Sequence, residues 1–432
     1  MPRRRSRIVL TENIFMRIEI LKRSAVMLYL TVVFSVFTIA QNTTSTLTGT
    51  TSDSDDILPG AVVKLTEVES GISYSAISNQ KGQFRITGLT PGGPYRLEVS
   101  YVGHKKSVID IKRISLGEVY SCNVELTTGN ELQEVIVKGQ AAALRKTGSS
   151  ESISAEDIDN KATVDRTLQD ILAMSPYYIG SGSFGGRDGG MNNYSIDGAN
   201  FNANMGLDRE KMPGAGTPFA LEALEDIQIV NSAFDVKNSN FMGATINAVT
   251  KKGTNTFRGS AYHFYKDESL RGNRVDGEEL TSPRGDIKRT IYGLTLGGPI
   301  IKDKLFFFVS AELENTPLQL HQWQASKDGV EDGKNLISRV TESDMKQFAS
   351  DLQSMYGWNP GSYNDFTGDN KFFRLMTRID WNISKYHKLT LRYNQTNGKK
   401  DNSYSSPGMG MSDGRVSIYS MVFDGSNWKK VD

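Results

Sequence analysis

The sequence predicts a mainly β chain: a β-sandwich, then an α+β domain, then the first strands of a transmembrane antiparallel β-barrel. Three observations predict it. Residues 44–127 break into short alternating runs separated by turn residues, the pattern of a sandwich. From residue 254 the runs lengthen, alternate apolar and polar residues, and are joined by short and long connections in turn. The chain also begins with basic residues followed by a short apolar run, the form of an export signal. Its 432 residues give room for two or three domains.

The opening segment "MRIEILKRSAVMLYLTVVFSVFTIAQ" carries Arg17, Lys22 and Arg23 ahead of an apolar run over 25–39, with Thr38 and Ala40 as the small residues of a cleavage site. Residues 1–40 therefore read as a Sec-type signal peptide cut near Ala40, with Met16 beginning the more ordinary signal. The run falls short of the roughly 20 apolar residues of a spanning helix, the reading it would need as an uncleaved anchor. No later segment is long, apolar and uncharged, so any membrane-embedded part must be a closed barrel.

Net charge is +1 and the basic residues are dispersed, which argues against a nucleic-acid partner. The lone Cys122 excludes a disulfide framework within the chain and a cysteine-based metal site. His104, His263, His321 and His387 lack ligand spacing. No HExxH, GxSxG or P-loop pattern occurs, so no enzyme, cofactor or metal is expected. The formal GxGxxG at Gly180, Gly182 and Gly185 runs into more Gly, Asn and Asp, where no helix can start, so it does not read as a dinucleotide site.

In the first block, strands are expected at 61–66, 73–78, 82–86, 95–101, 106–111 and 120–126. Turns are expected at Pro59-Gly60, Asn79 to Gly82, and Pro91-Gly92-Gly93. The segments "LPGAVVKL", "SNQKGQFRITGL" and "YRLEVSYVGH" resemble the carboxypeptidase regulatory-like domain. That resemblance implies an accessory sandwich without catalysis.

The next block spans 141–253. Leu168, Ile171 and Leu172 recur at helical spacing, with Asp165 as the expected N-cap and Pro176 as the stop. A short helix is expected at 219–224 and strands at 227–230 and 245–250. Taken together, "LEDIQIV", "FMGATINAVTKKGTN" and "GGRDGGMNNYSIDGANF" resemble the plug domain of TonB-dependent outer-membrane receptors. The third resembles the plug loop of the starch-utilisation and Oar-like subgroup. One departure is the order Gly185-Gly186-Arg187, where the family commonly has Arg-Gly. The resemblance points to Arg187, Asp188, Asn192, Asn193, Tyr194, Asp197 and Asn200 as ligand contacts. Asn, Asp and Gly are equally turn formers, so a plain turn remains the alternative for each.

In the third block, 254–432, strands are expected near 257–265, 287–296, 305–313, 372–382, 388–394, 416–423 and 427–431. Phe373, Leu375, Thr377, Ile379 and Trp381 share one face, and Arg374, Arg378, Asp380 and Asn382 mostly line the other. A soluble sheet half-covered by a core makes the same alternation. The connections favour the barrel: "GGPIIKDK" and "ISKYHK" are short, 267–286 is intermediate, and 315–370 is long and polar. "GGPIIKDKLFFF" also resembles an early turn and strand of the same receptors. Plugged transporters close at about 22 strands, so the resemblance implies an N-terminal fragment with an incomplete barrel.

Between sandwich and plug lies "ELQEVIVKGQ", residues 131–140. Its β-branched centre suits a strand, and a lone strand is a template for pairing with another chain. The segment resembles the TonB box, which implies that Glu134, Val135, Ile136 and Val137 pair with TonB, driven by its inner-membrane energy-coupling proteins. A linker or a first plug strand is the other reading. The resemblance as a whole implies energy-coupled import of a ligand too large for porins, a glycan, peptide or chelate. It implies residence in Gram-negative outer-membrane lipid, the sandwich in the periplasm, and a surface lipoprotein as a further partner. An Oar-type adhesion or secretion-related surface protein is the alternative.

Overall fold

A computed structural model of the chain describes most of residues 43–129, 135–136, 150–200, 218–231, 243–279, 288–319, 324–359 and 367–399. The expected signal peptide and the expected strands at 416–423 and 427–431 lie outside them.

Two sheets pack face to face in the first block. One places Gln83–Leu89 beside Ser45–Ser52, which pairs in parallel with Val119–Ser121 and Val124–Glu125. The other runs Ser73–Ile77, Val62–Glu67, Tyr95–Ser100, Ser107–Ile111 and Val135–Ile136. Alternate residues point inward, so Val63, Leu65, Leu97, Val99, Ile109 and Ile111 meet Leu47, Phe84, Ile86 and Leu89 in one buried core. The strand Ser45–Ser52 was not among the expected ones. It reads STLTGTTS, with a single large apolar residue, and it forms because strands lie on both its sides.

In the second block the sheet order is Ser150–Ser154, Leu224–Val230, Thr245–Thr250, Asn193–Ile196, Ala199–Asn200. Two short helices cover it, Ala155–Asn160 and Leu168–Leu172, each begun by a reciprocal side-chain cap. Thr167, not the expected Asp165, caps the second: its hydroxyl accepts from the Asp170 amide while Asp170 accepts from Thr167. The expected helix at 219–224 is a single 3-10 turn, Leu221–Ala223. Leu224 leaves it because pairing with Thr250 draws it into the sheet.

The third block is an antiparallel meander of Arg258–Lys266, Arg289–Ile301, Leu305–Asn315, Lys371–Asn382 and Lys388–Lys399. Its burial is inverted relative to a soluble sheet. Ser310, Glu312, Glu314, Arg374 and Arg378 are buried, while Leu294, Leu296, Leu313, Ile379, Trp381, Leu391 and Tyr393 on the other face are exposed. A water-soluble sheet buries its apolar face; this one suits lipid outside and a filled, polar interior. The long connection, read from sequence as merely polar, holds the helix Glu342–Tyr356, capped by Thr341 and ended by Gly357 in the left-handed region.

The sandwich lies at the short-turn end of this sheet. Asn255 Nδ2 donates to Asp303 Oδ1 (2.8 Å) in one short turn, and Asn255 N donates to the Glu69 carbonyl of the sandwich (2.9 Å). Beside the other turn, Lys388 Nζ stands 4.0 Å from the centre of the Tyr74 ring. The long connections leave from the opposite end.

A charge placed on the apolar outer face tests this architecture. Leu294→Arg in lipid vesicles should lower folding stability by about 2–4 kcal/mol if the site is near mid-membrane. A change within about 0.5 kcal/mol, ordinary for a water-exposed position, would place that face in water. The measurement is a urea titration of the folded, vesicle-inserted chain.

Candidate functional site

The plug sheet has two different faces. Ile153, Ile227, Ile229, Ile246, Ala248, Tyr194 and Ile196 point into an apolar core with Leu168, Ile171, Leu172 and Phe184. On the other face Ser152, Gln228, Asn247 and Ser195 stand in register across four strands. Ser195 Oγ donates to Asn247 Oδ1 (2.6 Å), and Asn247 Nδ2 reaches Gln228 Oε1 (3.4 Å). Gln228, Asn247 and Ser195 are buried, so their bonding offsets the cost of removing them from water.

The strand directions give the sheet two ends. Leu224 and Thr250 lie at the sandwich end, Val230 and Thr245 at the far end. Because Asn193–Ile196 runs parallel to Thr245–Thr250, it carries its neighbours to opposite ends. Arg187 and Asp188 are exposed beside a hairpin at the far end, near Asn231. Asp197 sits at the sandwich end, four residues or about 13 Å of strand from Asn193. The seven loop residues predicted from sequence therefore do not converge on one point.

Three of them belong to the plug's own hydrogen-bond web. Asn192 Nδ2 donates to the Gly182 carbonyl (2.7 Å) and Tyr194 OH (3.2 Å), and its Oδ1 accepts from the Ala244 amide (2.9 Å). Asn193 is buried in the sheet and donates its amide to the Ala244 carbonyl. Burial pushes the Tyr194 phenol above its usual range, against the opposing pull of the Asn192 hydrogen bond. Asn200 is exposed on the last strand of the sheet.

Asp197 fastens plug to wall. It adopts φ +50° in a turn before Gly198, and its carboxylate accepts from Thr250 N (3.0 Å), Thr250 Oγ1 (2.6 Å) and Arg392 Nε (3.3 Å). Arg378 binds Asp380 through two nitrogens (2.7 and 3.0 Å) and donates to the Thr250 carbonyl (3.0 Å). A second set of contacts holds the plug segment that leads into the helix Leu168–Leu172. Arg374 holds Glu312 and Glu314 (both 2.7 Å), Arg289 also holds Glu314 (2.8 Å), and Arg289 donates to the Asp165 carbonyl of the plug. Arg166 lies 3.7 Å from the Phe264 ring centre and pairs with Glu222. Arg374 and Arg378 were read from sequence only as polar wall residues.

The sandwich is fastened too. Arg113 donates to the Glu225 carbonyl (2.8 Å) and Asp226 Oδ2 (3.0 Å), and Lys252 Nζ donates to Glu67 Oε2 (2.6 Å). Burial raises the Glu225 carboxyl above the usual range, with Arg113 opposing. Of the box residues, Val135 and Ile136 form a strand; Glu134 and Val137 lie outside the described residues. Among the described residues no group of three metal-ligating side chains comes together.

Residues 46–127 match the carboxypeptidase regulatory-like domain family, and residues 249–322 match an outer membrane beta barrel domain family. The TonB-dependent transporter Oar of Myxococcus xanthus is 24% identical over 382 residues, covering 82% of this chain and 33% of that protein. The chain thus spans about a third of the length of that curated relative. Among solved structures, the siderophore receptor PirA of Acinetobacter baumannii is 16% identical over 63% of this chain and 35% of its own, with a TM-score of 0.40. The outer membrane transporter YddB of Escherichia coli is 15% identical over 60% and 34%, with a TM-score of 0.42. The two domain matches give an accessory sandwich and an outer-membrane barrel domain, and over 82% of its length the chain is similar to a TonB-dependent transporter. The barrel-domain match and the apolar outer face put this part of the chain in the outer membrane.

Two substitutions separate framework from surface. Asn192→Ala orphans the Ala244 amide and Gly182 carbonyl and should cost about 1–3 kcal/mol, whereas the exposed Arg187→Ala should stay within about 0.5 kcal/mol. Asp197→Ala removes one partner of a buried ion network and should cost about 3–5 kcal/mol. Denaturant midpoints read all three, and protease sensitivity of the plug checks the last.

Proposed function

We propose that this chain acts in energy-coupled import across the outer membrane. The observation that carries the reading is a polar-faced plug sheet in a plug fastened at two places, Asp197 and Asp165, to the inner wall of a lipid-facing antiparallel sheet. A sheet so placed blocks the passage and must move for a solute to pass. The ligand, a glycan, peptide or chelate, arrives at the far end, where Arg187 and Asp188 are exposed, with Asn200 further along the sheet. Asn192, Asn193 and Tyr194 hold that end in shape, and Asp197 acts at the opposite end as a fastening.

Energy enters through Glu134, Val135, Ile136 and Val137, which pair with a strand of TonB. Backbone hydrogen bonds give a grip that makes few side-chain demands. The plug's polar row, with Gln228, Asn247 and Ser195 buried and Ser152 half-buried, suits a part that moves, since polar side chains exposed by shear are re-solvated where apolar ones are not. The similarity to the transporter Oar supports the same reading.

Val135→Pro removes an amide donor and disfavours ladder pairing. The expected outcome is a loss of at least about tenfold, or 1.4 kcal/mol, in affinity for the purified periplasmic domain of TonB, with insertion into the outer membrane unchanged. Equal binding by wild type and variant would refute the assignment of the box.

A further inference from the structure

The strand Val135–Ile136 is not free-standing. It pairs in parallel with the edge of the accessory sandwich, Ser107 opposite Val135 and Val108 opposite Ile136. It is the outermost strand of that sheet among the described residues. Its seat is shaped for it. Val108 lies on the face away from the sandwich core yet is only 2% exposed, and Ser107 is buried with a hydroxyl that has no hydrogen-bond partner.

We infer that the accessory sandwich presents the box, holding it as a ready-made edge so that the partner's strand adds as the next strand of the same sheet. The inference rests on the reading of residues 134–137 as the TonB contact. The alternation of a strand's backbone supports presentation over concealment. Successive residues direct their N–H and C=O groups to opposite sides, so one of Val135 and Ile136 bonds the sandwich and the other faces away. The sandwich uses one set of groups and leaves the other for the partner. A strand already extended also spares part of the ordering cost that a loose segment meets on binding. A pull on that edge is then delivered to the sandwich and, through Arg113 to Asp226 and Lys252 to Glu67, to the plug strand Leu224–Val230 and the plug's exit segment.

A reversible lock tests this. Neighbouring strands lie about 4.8 Å apart, within the roughly 4.4–6.8 Å between Cα atoms that a disulfide spans. Ser107→Cys with Val135→Cys, in the Cys122→Ala background so that only one disulfide can form, fixes the strand to the sandwich under oxidant and frees it under reductant. The probe is the purified periplasmic domain of TonB, titrated against the chain in detergent. Presentation predicts that the disulfide forms and that the locked chain binds as tightly as the reduced chain or more tightly. A loss of about tenfold or more on locking, restored by reductant, means the sandwich hides the box and overturns the proposal. Failure of the disulfide to form while the reduced chain binds overturns it too, because the strand is then not on the sandwich. No binding by the reduced chain, together with no effect of Val135→Pro, instead removes the underlying reading of the box.

Discussion

A sheet that buries Glu312, Glu314, Arg374 and Arg378 while exposing Leu294, Leu313, Leu391 and Tyr393 is under one dominant constraint. Its outer face needs an apolar solvent, and its inner charges need partners of their own. The rest of the structure answers the second need. Arg374 draws in two glutamates from the neighbouring strand, and Arg378 and Arg392 reach for Asp197 on the plug. The wall's inner charges are met by the plug, and the plug is held by that wall and by the sandwich.

The same logic extends to the sandwich, whose own core is ordinary and apolar. Its attachments are ionic: Arg113 to Glu225 and Asp226, Lys252 to Glu67, Arg258 to Glu69. Asp226 has no exposed side-chain surface and also accepts from Leu116 N (3.1 Å) and Ser152 Oγ. Plug and wall also share a small apolar contact of Ala223 with Phe308 and Met376, whereas sandwich and plug strand are joined through partly buried charge and a more exposed ion pair links sandwich to wall. Such contacts fix geometry through direction and pairing. They are also sensitive to the loss of any one member.

Much of this was legible in the sequence, because period-two alternation is local. The wall strands and their faces followed from residues such as Phe373, Leu375 and Ile379 set against Arg374 and Arg378. The sandwich strands followed from turn chemistry at Pro59-Gly60 and Pro91-Gly92-Gly93. What the sequence hid depends on distant pairing. The polar strand Ser45–Ser52 exists because of neighbours some 40 and 70 residues away. The resemblance made Asn192 and Asn193 candidate ligand contacts, with a plain turn as the alternative; the parallel pairing of 193–196 with 245–248 sets Asn193 in the sheet, and Asn192 bonds the Ala244 amide and the Gly182 carbonyl. Asp165 looked like a cap; Thr167 takes that role, and Asp165 pairs with Lys266 across the wall instead. The β-branched run 134–137 was visible in the sequence, while the pairing of Val135 and Ile136 with Ser107 and Val108 was not.

Import as proposed requires that the two ends of this assembly face opposite sides of the outer membrane, the sandwich end inward and the plug tip outward. The most direct measurement is labelling of single cysteines in intact cells with a membrane-impermeant thiol reagent. Arg187→Cys marks the tip and Ser75→Cys marks the exposed outer face of the sandwich, each in the Cys122→Ala background. In that orientation Arg187→Cys is labelled in intact cells and Ser75→Cys only after the outer membrane is permeabilised. Labelling of Ser75→Cys in intact cells, with Arg187→Cys protected, would reverse the orientation and contradict import from the plug tip.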